Sequence, residues 1–278
     1  MPSAFPSGAV IIPAHNEAAV IERTLQSLSE VIGWGTVDVV VACNGCTDGT
    51  DAIVSRWEGV SVLQVPEASK AAALNAGDQC TCLWPRLYLD ADIEVNTKAL
   101  RAVFTALEDG ALLAARPAFR YDTQGASAPV RAYYRARSRI PGNAQGLWGA
   151  GVYALSRPGH DRLGMFPDLT GDDYFVDRLF DEREKAVLPT EPVIVRTPRT
   201  TAALLAVLRR TYRGNSEQDV ATGGASLTRT MRELLASVRG PWTAFDAFIY
   251  ATFAIVGRRR ASLSAMSSPV WERDESRR

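Results

Sequence analysis

Two aspartates follow the apolar segment 87–89 and form the motif Asp90-Ala91-Asp92. A segment of this kind is typical of a buried strand, and ligands of open α/β sheets bind beyond the carboxyl ends of the strands. Two carboxylates one residue apart can share a divalent cation, since Mg²⁺ is commonly held by one or two carboxylates together with substrate phosphates. Asp-x-Asp pairs also occur in ordinary surface turns, so the position after a strand is what favours a metal site.

A second acidic pair, Asp172-Asp173, follows Gly171 and begins a predicted helix. The N-terminus of a helix stabilises a carboxylate, so helix capping is a complete structural explanation of the pair. Neighbouring carboxylates also raise each other's pKa, which suits a general base near neutral pH. The sequence leaves both interpretations open.

Alternating strand and helix patterns over the first hundred residues predict a mostly parallel sheet with covering helices. The predicted strands lie at 9–12, 37–42, 61–65 and 111–115, and a further one ends at Asp90. Pro13 terminates the first of them. Beyond residue 116 the alternation stops. There the pattern predicts helices at about 129–140, from 172 and at 201–213, strands at 147–156 and 187–195, and two C-terminal helices with a polar tail.

The composition is that of an ordinary globular protein, with 278 residues, 46% of them hydrophobic, and a formal net charge of zero. No overall field therefore attracts nucleic acid. Six mid-chain arginines fit either a solvated helix face or attraction to phosphate or an anionic membrane: Arg116, Arg120, Arg131, Arg135, Arg137 and Arg139. The four cysteines, in the pairs Cys43/Cys46 and Cys80/Cys82, fit the spacing of a structural zinc site poorly and indicate reduced thiols.

The first residues lack the basic start and long apolar core of a signal peptide, so we expect a cytoplasmic protein. The apolar stretch from Trp242 to Val256 contains Asp246 and is too short to span a bilayer. The stretch could lie in a membrane interface, because Arg258-Arg259-Arg260 follows it. It could equally be a buried helix or a homodimer contact through the C-terminal helices.

Five segments resemble, in their order along the chain, the pattern of glycosyltransferase family 2, the nucleotide-sugar-dependent transferases with a GT-A fold. They are Val10-Ile11-Ile12-Pro13-Ala14-His15-Asn16-Glu17, Asn44-Gly45-Cys46-Thr47-Asp48-Gly49-Thr50, Lys70-Ala71-Ala72-Ala73-Leu74-Asn75-Ala76-Gly77, Asp90-Ala91-Asp92 and Gly171-Asp172-Asp173. The resemblance implies one GT-A-like α/β domain over residues 1–225, with a donor-binding half at about 1–115 and an acceptor-binding half at 116–225. A C-terminal helical extension would occupy 226–278.

The resemblance also implies roles for single residues. The nucleotide would contact Pro13, Ala14, Asn16, Glu17, Asn44, Lys70, Asp90 and Ala91, and the metal would be bound by Asp92 and Asp90. The acceptor or the diphosphate would contact Trp148, Gly149, Asp172, Arg209 and Arg213. Asp173 would be the base that deprotonates the acceptor hydroxyl.

The expected reaction is the inverting transfer of one sugar from a nucleoside-diphosphate sugar, UDP-sugar by family frequency, to an acceptor hydroxyl, with Mn²⁺ or Mg²⁺ as cofactor. Cys43 stands where many relatives have a base-recognising Asp, although the Asn44 carboxamide can both donate and accept hydrogen bonds. The Gln-x-x-Arg-Trp motif of processive relatives is absent. A lipid-linked sugar, a metabolite and a glycan all remain open as acceptors. Nucleotidyl transfer and non-catalytic nucleotide-sugar binding are the alternatives, the first disfavoured because no Gly-rich triphosphate loop follows the first strand.

Overall fold

A computed structural model of the chain describes residues 5–219 and 226–264. The strands of this part are β1 (Gly8–Ala14), β2 (Val37–Asn44), β3 (Val60–Val65), β4 (Arg86–Leu89), β5 (Ala114–Asp122), β6 (Val152–Leu155) and β7 (Lys185–Arg196). The helices are α1 (Ile21–Ser27), α2 (Thr50–Val54), α3 (Lys70–Cys80), α4 (Thr97–Glu108), α5 (Ala128–Ser138), α6 (Pro141–Gln145), α7 (Arg157–Leu163), α8 (Asp172–Arg178), α9 (Thr201–Asp219), α10 (Ser226–Ala236) and α11 (Pro241–Ser264).

The strands form a seven-stranded sheet in the order β3-β2-β1-β4-β6-β5-β7. Strands β1 to β4 pair in parallel, and β6 is antiparallel to both β4 and β5. Every residue of β1 and of β4 is buried, as expected where helices cover both faces of a parallel sheet. The α/β fold predicted from the sequence is confirmed, and because β1, β2 and β4 are parallel neighbours, their carboxyl ends lie along one edge.

Helix α3 lies unusually close to β1 because of a glycine in its middle. A Cβ atom at Gly77 would stand 2.4 Å from Cγ2 of Ile11, so only glycine fits this contact. The helix begins at Ser69, whose hydroxyl accepts a hydrogen bond from the Ala72 N–H at 3.2 Å. This cap fixes the start of α3, and with it the first helical residue, Lys70, beside the edge of the sheet.

Several predicted strands have different bounds in the structure. Strand β1 continues through Pro13 to Ala14, since a proline at the edge of the pairing removes only one donor. The strand predicted at 111–115 begins at Ala114 and runs to Asp122. The strand predicted at 147–156 is confined to β6, because residues 146–151 form a loop in which Gly149 and Gly151 have φ values of 82° and 66°.

The described chain divides into two compact units. The first comprises residues 5–120, 147–168 and 172–195, and the second comprises residues 121–146, 169–171, 196–219 and 226–264. The first unit contains most of the sheet. The second has its own core, built on α5, α9, α10 and α11 around Tyr133, Leu204 and Tyr250. The division predicted from the sequence, at residues 225 and 226, remains a prediction, and the predicted polar tail lies outside the described residues.

The mid-chain arginines serve mostly as internal partners, which neither interpretation of the cluster foresaw. Arg116 is fully buried, and Arg137 donates to the Tyr121 hydroxyl at 2.8 Å. Arg135 of α5 and Arg139, the residue directly after α5, both bind Asp246 of α11, at 2.6 and 3.0 Å. Asp246 therefore interrupts the apolar stretch of α11 because it joins two helices of the second unit. Across residues 5–219 and 226–264, no helix combines the length and apolarity that crossing a bilayer requires.

Candidate active site

The Asp90-Ala91-Asp92 motif forms a turn at the carboxyl end of β4, at the sheet edge that the sequence predicts for it. The Asp90 N–H donates to the Gly151 carbonyl at 2.8 Å, and the Thr24 hydroxyl donates to the Ala91 carbonyl at 2.6 Å. These bonds hold the turn from both sides. A Cβ atom at Gly151 would stand 2.9 Å from Oδ2 of Asp90, so this position must be glycine for the carboxylate to lie there.

Lys70 joins the two acidic pairs. Its ammonium group lies 2.8 Å from Oδ1 of Asp90 and 2.7 Å from Oδ1 of Asp172. Desolvation by burial lowers the pKa of Lys70, but the charges of Asp172 and Asp90 outweigh it and raise that pKa above its usual value. The lysine is therefore a permanent cation that draws the end of β4 and the start of α8 together.

The acidic pair at the start of α8 is fixed by two groups of the β6 region. The Tyr153 hydroxyl donates to Oδ2 of Asp172 at 2.7 Å, and the Gly149 N–H donates to Oδ2 of Asp173 at 2.7 Å. Asp172 is buried, whereas Asp173 is partly exposed. Asp173 is consequently the member of the pair that combines access from solvent with a fixed orientation.

The pKa of Asp173 is raised to about 6. Desolvation is the largest cause and the negative charge of Asp172 is the second, while Lys70 and the hydrogen bond from Gly149 act in the opposite direction. A carboxylate with this pKa is ionised at neutral pH and still basic enough to accept a proton from a reacting hydroxyl. The repulsion between neighbouring carboxylates that the sequence predicts therefore acts on Asp173, and burial adds to it.

The loops after β1 and β2 are bonded to each other at the same edge of the sheet. Nδ1 of His15 lies 2.6 Å from the carbonyl of Asn44, and Oδ1 of Asn16 accepts from the Thr47 N–H at 2.7 Å. The Glu17 N–H donates to Oγ1 of Thr50 at 2.8 Å. Asn16 adopts a positive φ of 55°, which turns the chain back toward β2. Two of the segments predicted to contact a nucleotide, 13–17 and 44–50, are thus bonded to each other.

Asn44 is fully buried at the end of β2, and neither its carboxamide oxygen nor its nitrogen has a hydrogen-bond partner within the described residues. Burying an unpaired amide is costly, so this side chain is a candidate for pairing with a ligand. Next to it, a hydrogen bond with Cys43 lowers the pKa of Cys46 to about 6. The four cysteines are free thiols.

The donor set at the end of β4 fits a divalent cation that a substrate helps to bind. Asp90 and Asp92 supply the hard oxygen ligands that Mg²⁺ and Mn²⁺ prefer. No three His, Cys, Asp or Glu side chains in residues 5–219 and 226–264 lie close enough together to hold a metal by themselves. An ion at this place would therefore complete its coordination with phosphate oxygens and water, as Mg²⁺ commonly does.

The residues predicted to contact the acceptor or the diphosphate lie in both units. Trp148 lies beside Gly149 and contacts the Tyr174 ring edge-to-face, with the ring centroids 6.2 Å apart. Arg209 and Arg213 belong to α9 of the second unit, so their contact with the acceptor or the diphosphate remains a prediction. Sequence reasoning missed Tyr153 altogether. Its position in an apolar strand was the only available signal.

A parallel sheet edge with carboxylates beyond β4, joined through Lys70 to a second acidic pair, is the arrangement that the GT-A resemblance predicts. Solved structures with this fold include a Pyrobaculum calidifontis mannosyltransferase in complex with GDP-Man and Mn²⁺ (19% identity, TM-score 0.60, covering 97% of this chain and 78% of that one). Another is S. aureus TarS 1–349 in complex with UDP-GlcNAc (13% identity, TM-score 0.55, covering 96% of this chain and 93% of that one). A third is Mycobacterium tuberculosis glucosyl-3-phosphoglycerate synthase in complex with Mn²⁺, UDP and glucosyl-3-phosphoglycerate (18% identity, TM-score 0.56, covering 80% of this chain and 82% of that one).

The chain belongs to glycosyl transferase family 2, whose model matches residues 9–153. The protein is therefore an enzyme of the glycosyltransferase class, and the family match selects this class over nucleotidyl transfer and non-catalytic binding. No curated protein matches the chain. The family match includes Asp90, Asp92 and Gly149 but ends before Asp172 and Asp173, so the proposed base depends on the geometry alone.

Proposed function

We propose that the protein transfers a single sugar from a nucleoside-diphosphate sugar to an acceptor hydroxyl, with inversion at the anomeric carbon and with UDP as the favoured nucleotide. The observation that carries the proposal is the bridge from Asp90 through Lys70 to Asp172, which brings the metal motif and the candidate base to one place. The structural neighbours held GDP-Man, UDP or UDP-GlcNAc, which supports a nucleotide-sugar donor in general.

Asp173 is the proposed general base. Its Oδ2 is oriented by the Gly149 N–H, and its pKa of about 6 leaves it ionised at neutral pH. The acceptor hydroxyl gives its proton to Asp173 while its oxygen attacks the anomeric carbon, and the bond from that carbon to the diphosphate oxygen breaks. One base and one direct displacement invert the configuration, so no covalent enzyme intermediate is needed.

Asp90 and Asp92 are the proposed ligands of Mn²⁺ or Mg²⁺. When bound, the cation offsets the charge that develops on the departing diphosphate. Asp90 also faces Lys70, whose ammonium group adds a second positive charge next to the leaving group. Lys70 thereby orients the carboxylates of Asp90 and Asp172, and it also contributes to binding the donor phosphates.

The acceptor side is the loop before β6. Trp148 offers an aromatic ring on which a sugar can stack, and its neighbour Gly149 holds the base. Asp172 is held by Tyr153 and Lys70 and steadies the start of α8 rather than reacting. We therefore expect the hydroxyl of an acceptor that stacks on Trp148 to lie close to Asp173.

The decisive experiment replaces Asp173 by Asn and measures two quantities. Release of nucleoside diphosphate from a nucleotide sugar, with water as the substitute acceptor, should fall at least about 100-fold because no base remains. Calorimetric affinity for UDP with Mn²⁺ should change less than about threefold, since the base does not touch the donor. The matched control is Asp181→Asn, an exposed aspartate just after α8, which should alter neither quantity. Hydrolysis at a near wild-type rate in Asp173→Asn would show that the base is assigned wrongly.

A further inference from the structure

Helix α11 has one face that packs and one face that does not. Its inward residues contact α5 and α9 within the second unit, and they include the buried Ala247, Tyr250 and Ala254. Asp246 on the same side binds Arg135 of α5 and Arg139, the residue directly after that helix. The inward face therefore already accounts for the packing of this helix.

The outward face is apolar as well, which is unusual for a surface helix. Phe245, Phe248 and Ile255 are 52%, 67% and 55% exposed, and Trp242 at the start of the helix is 81% exposed. The spacings of three and seven residues place the two phenylalanines and the isoleucine along one stripe, opposite the buried residues. Several large apolar side chains exposed on one helix face favour an interaction site.

The exposed charges of the segment 237–264 have a single sign. Arg239 precedes the helix, and Arg259 and Arg260 lie exposed near its end. Asp246, the acidic residue of the segment 237–264, is buried and paired. The chain as a whole has no net charge, so this cationic segment is a local feature.

We propose that the outward face of α11 binds the surface of an anionic phospholipid bilayer. Trp and Phe side chains suit the boundary between head groups and acyl chains, and arginines beside them attract anionic head groups. A second copy of the chain is a poorer occupant, because it would present the same cationic rim to this one. The helix would lie in the plane of the interface. This proposal does not depend on the proposed transfer reaction, since lipid binding is measured without a donor or an acceptor.

Vesicle co-sedimentation tests the proposal with the full chain. Binding should be strong on vesicles that contain phosphatidylglycerol, weak on phosphatidylcholine alone, and reduced by salt. Phe245→Ser with Phe248→Ser should abolish binding to both kinds of vesicle. Arg259→Gln with Arg260→Gln should weaken binding to the anionic vesicles by about tenfold or more. Because these side chains are exposed, the variants should unfold at the wild-type temperature, which circular dichroism checks.

Matched controls come from the first unit. Met165→Ser removes an apolar side chain that is 69% exposed, and Arg56→Gln with Arg183→Gln removes two exposed charges. Neither control should change lipid binding. Equal losses in the control and α11 variants would overturn the proposal, because binding would then follow overall hydrophobicity or charge.

Light scattering identifies the other possible occupants. A dimer that becomes a monomer in Phe245→Ser with Phe248→Ser, without lipid binding, would mean that the face joins two copies and that the proposal is wrong. A monomer that does not bind anionic vesicles would equally overturn it.

Discussion

Individual side chains of the active site are held by charges and hydrogen bonds from three different segments. Asp173 is oriented by Gly149, and Asp172 is oriented by Tyr153 and Lys70. The consequence is a carboxylate whose pKa is set by its neighbours and can be shifted by changing one of them.

The first prediction at this scale concerns pH. The base must be ionised, so the rate of donor hydrolysis should rise as the pH increases through about 6 and level off above it. Asp172→Asn removes a negative charge that raises the pKa of Asp173, so the midpoint should move to lower pH. The pH profile of the two proteins at saturating donor measures the shift. An unmoved midpoint would show that Asp173 is not the titrating group.

The second prediction concerns Asn44, whose carboxamide is buried and unpaired within the described residues. Asn44→Ala should change the free energy of unfolding by less than about 1 kcal/mol, because no internal hydrogen bond is lost. UDP affinity should fall by about tenfold, the effect of one or two lost hydrogen bonds.

Asn75 is the matched control for Asn44, because its amide is bonded at both ends to the backbone of Phe166, at 3.0 and 2.8 Å. Asn75→Ala should destabilise the protein by about 1–3 kcal/mol and leave UDP affinity unchanged. Calorimetry and denaturant unfolding separate the two effects. If Asn44→Ala behaves like Asn75→Ala, its role is structural.

At the scale of elements, the loop before β6 acts as a template for the turn after β4. The Gly151 carbonyl accepts a hydrogen bond from the Asp90 N–H, and the absence of a side chain at Gly151 leaves room for the Asp90 carboxylate. Two residues earlier, the Gly149 N–H donates to Asp173, the proposed base. One short loop thereby positions both Asp90 and Asp173.

Gly151→Ala tests this template. The new Cβ would stand 2.7 Å from Cγ1 of Ile93 and 2.9 Å from Oδ2 of Asp90, at a positive φ of 66°. We expect a loss of about 2–4 kcal/mol in unfolding free energy and weaker Mn²⁺-dependent UDP binding. Gly164→Ala is the control, with a φ of 71° and open space around it, and should cost only about 1 kcal/mol without affecting UDP. Similar results for both variants would mean that backbone strain alone matters at Gly151.

At the scale of the whole molecule, ligand binding should be visible as stability. At 100 times its dissociation constant, UDP with Mn²⁺ should stabilise the folded protein by about 2.7 kcal/mol. A chelator should remove most of this gain, and so should Asp92→Ala, because each removes the ion that joins the diphosphate to the protein. Thermal unfolding with and without each component measures the effect. An equal gain in the presence of the chelator would exclude the metal site.

Much of the first unit could be predicted from the sequence. Apolar runs such as 37–42 and 61–65 are local patterns, and so is the step from an apolar segment to Asp90. Local patterns define strands, and parallel strands place their ends at one edge of a sheet. The order of the five family segments then led to the right family, which the match over residues 9–153 confirms.

Tertiary structure decided what no local pattern contains. Lys70 touches Asp90 and Asp172 only because α3, β4 and α8 meet, and Tyr153 reaches Asp172 for the same reason. In α11 the sequence is apolar on both sides of the helix, so periodicity could not tell which side packs. Asp246 fixes the inward side through its bonds to Arg135 and Arg139, and Phe245 and Phe248 are thereby left facing solvent. Contacts between segments that are distant along the chain depend on how whole elements pack, and that information is not present in any one segment.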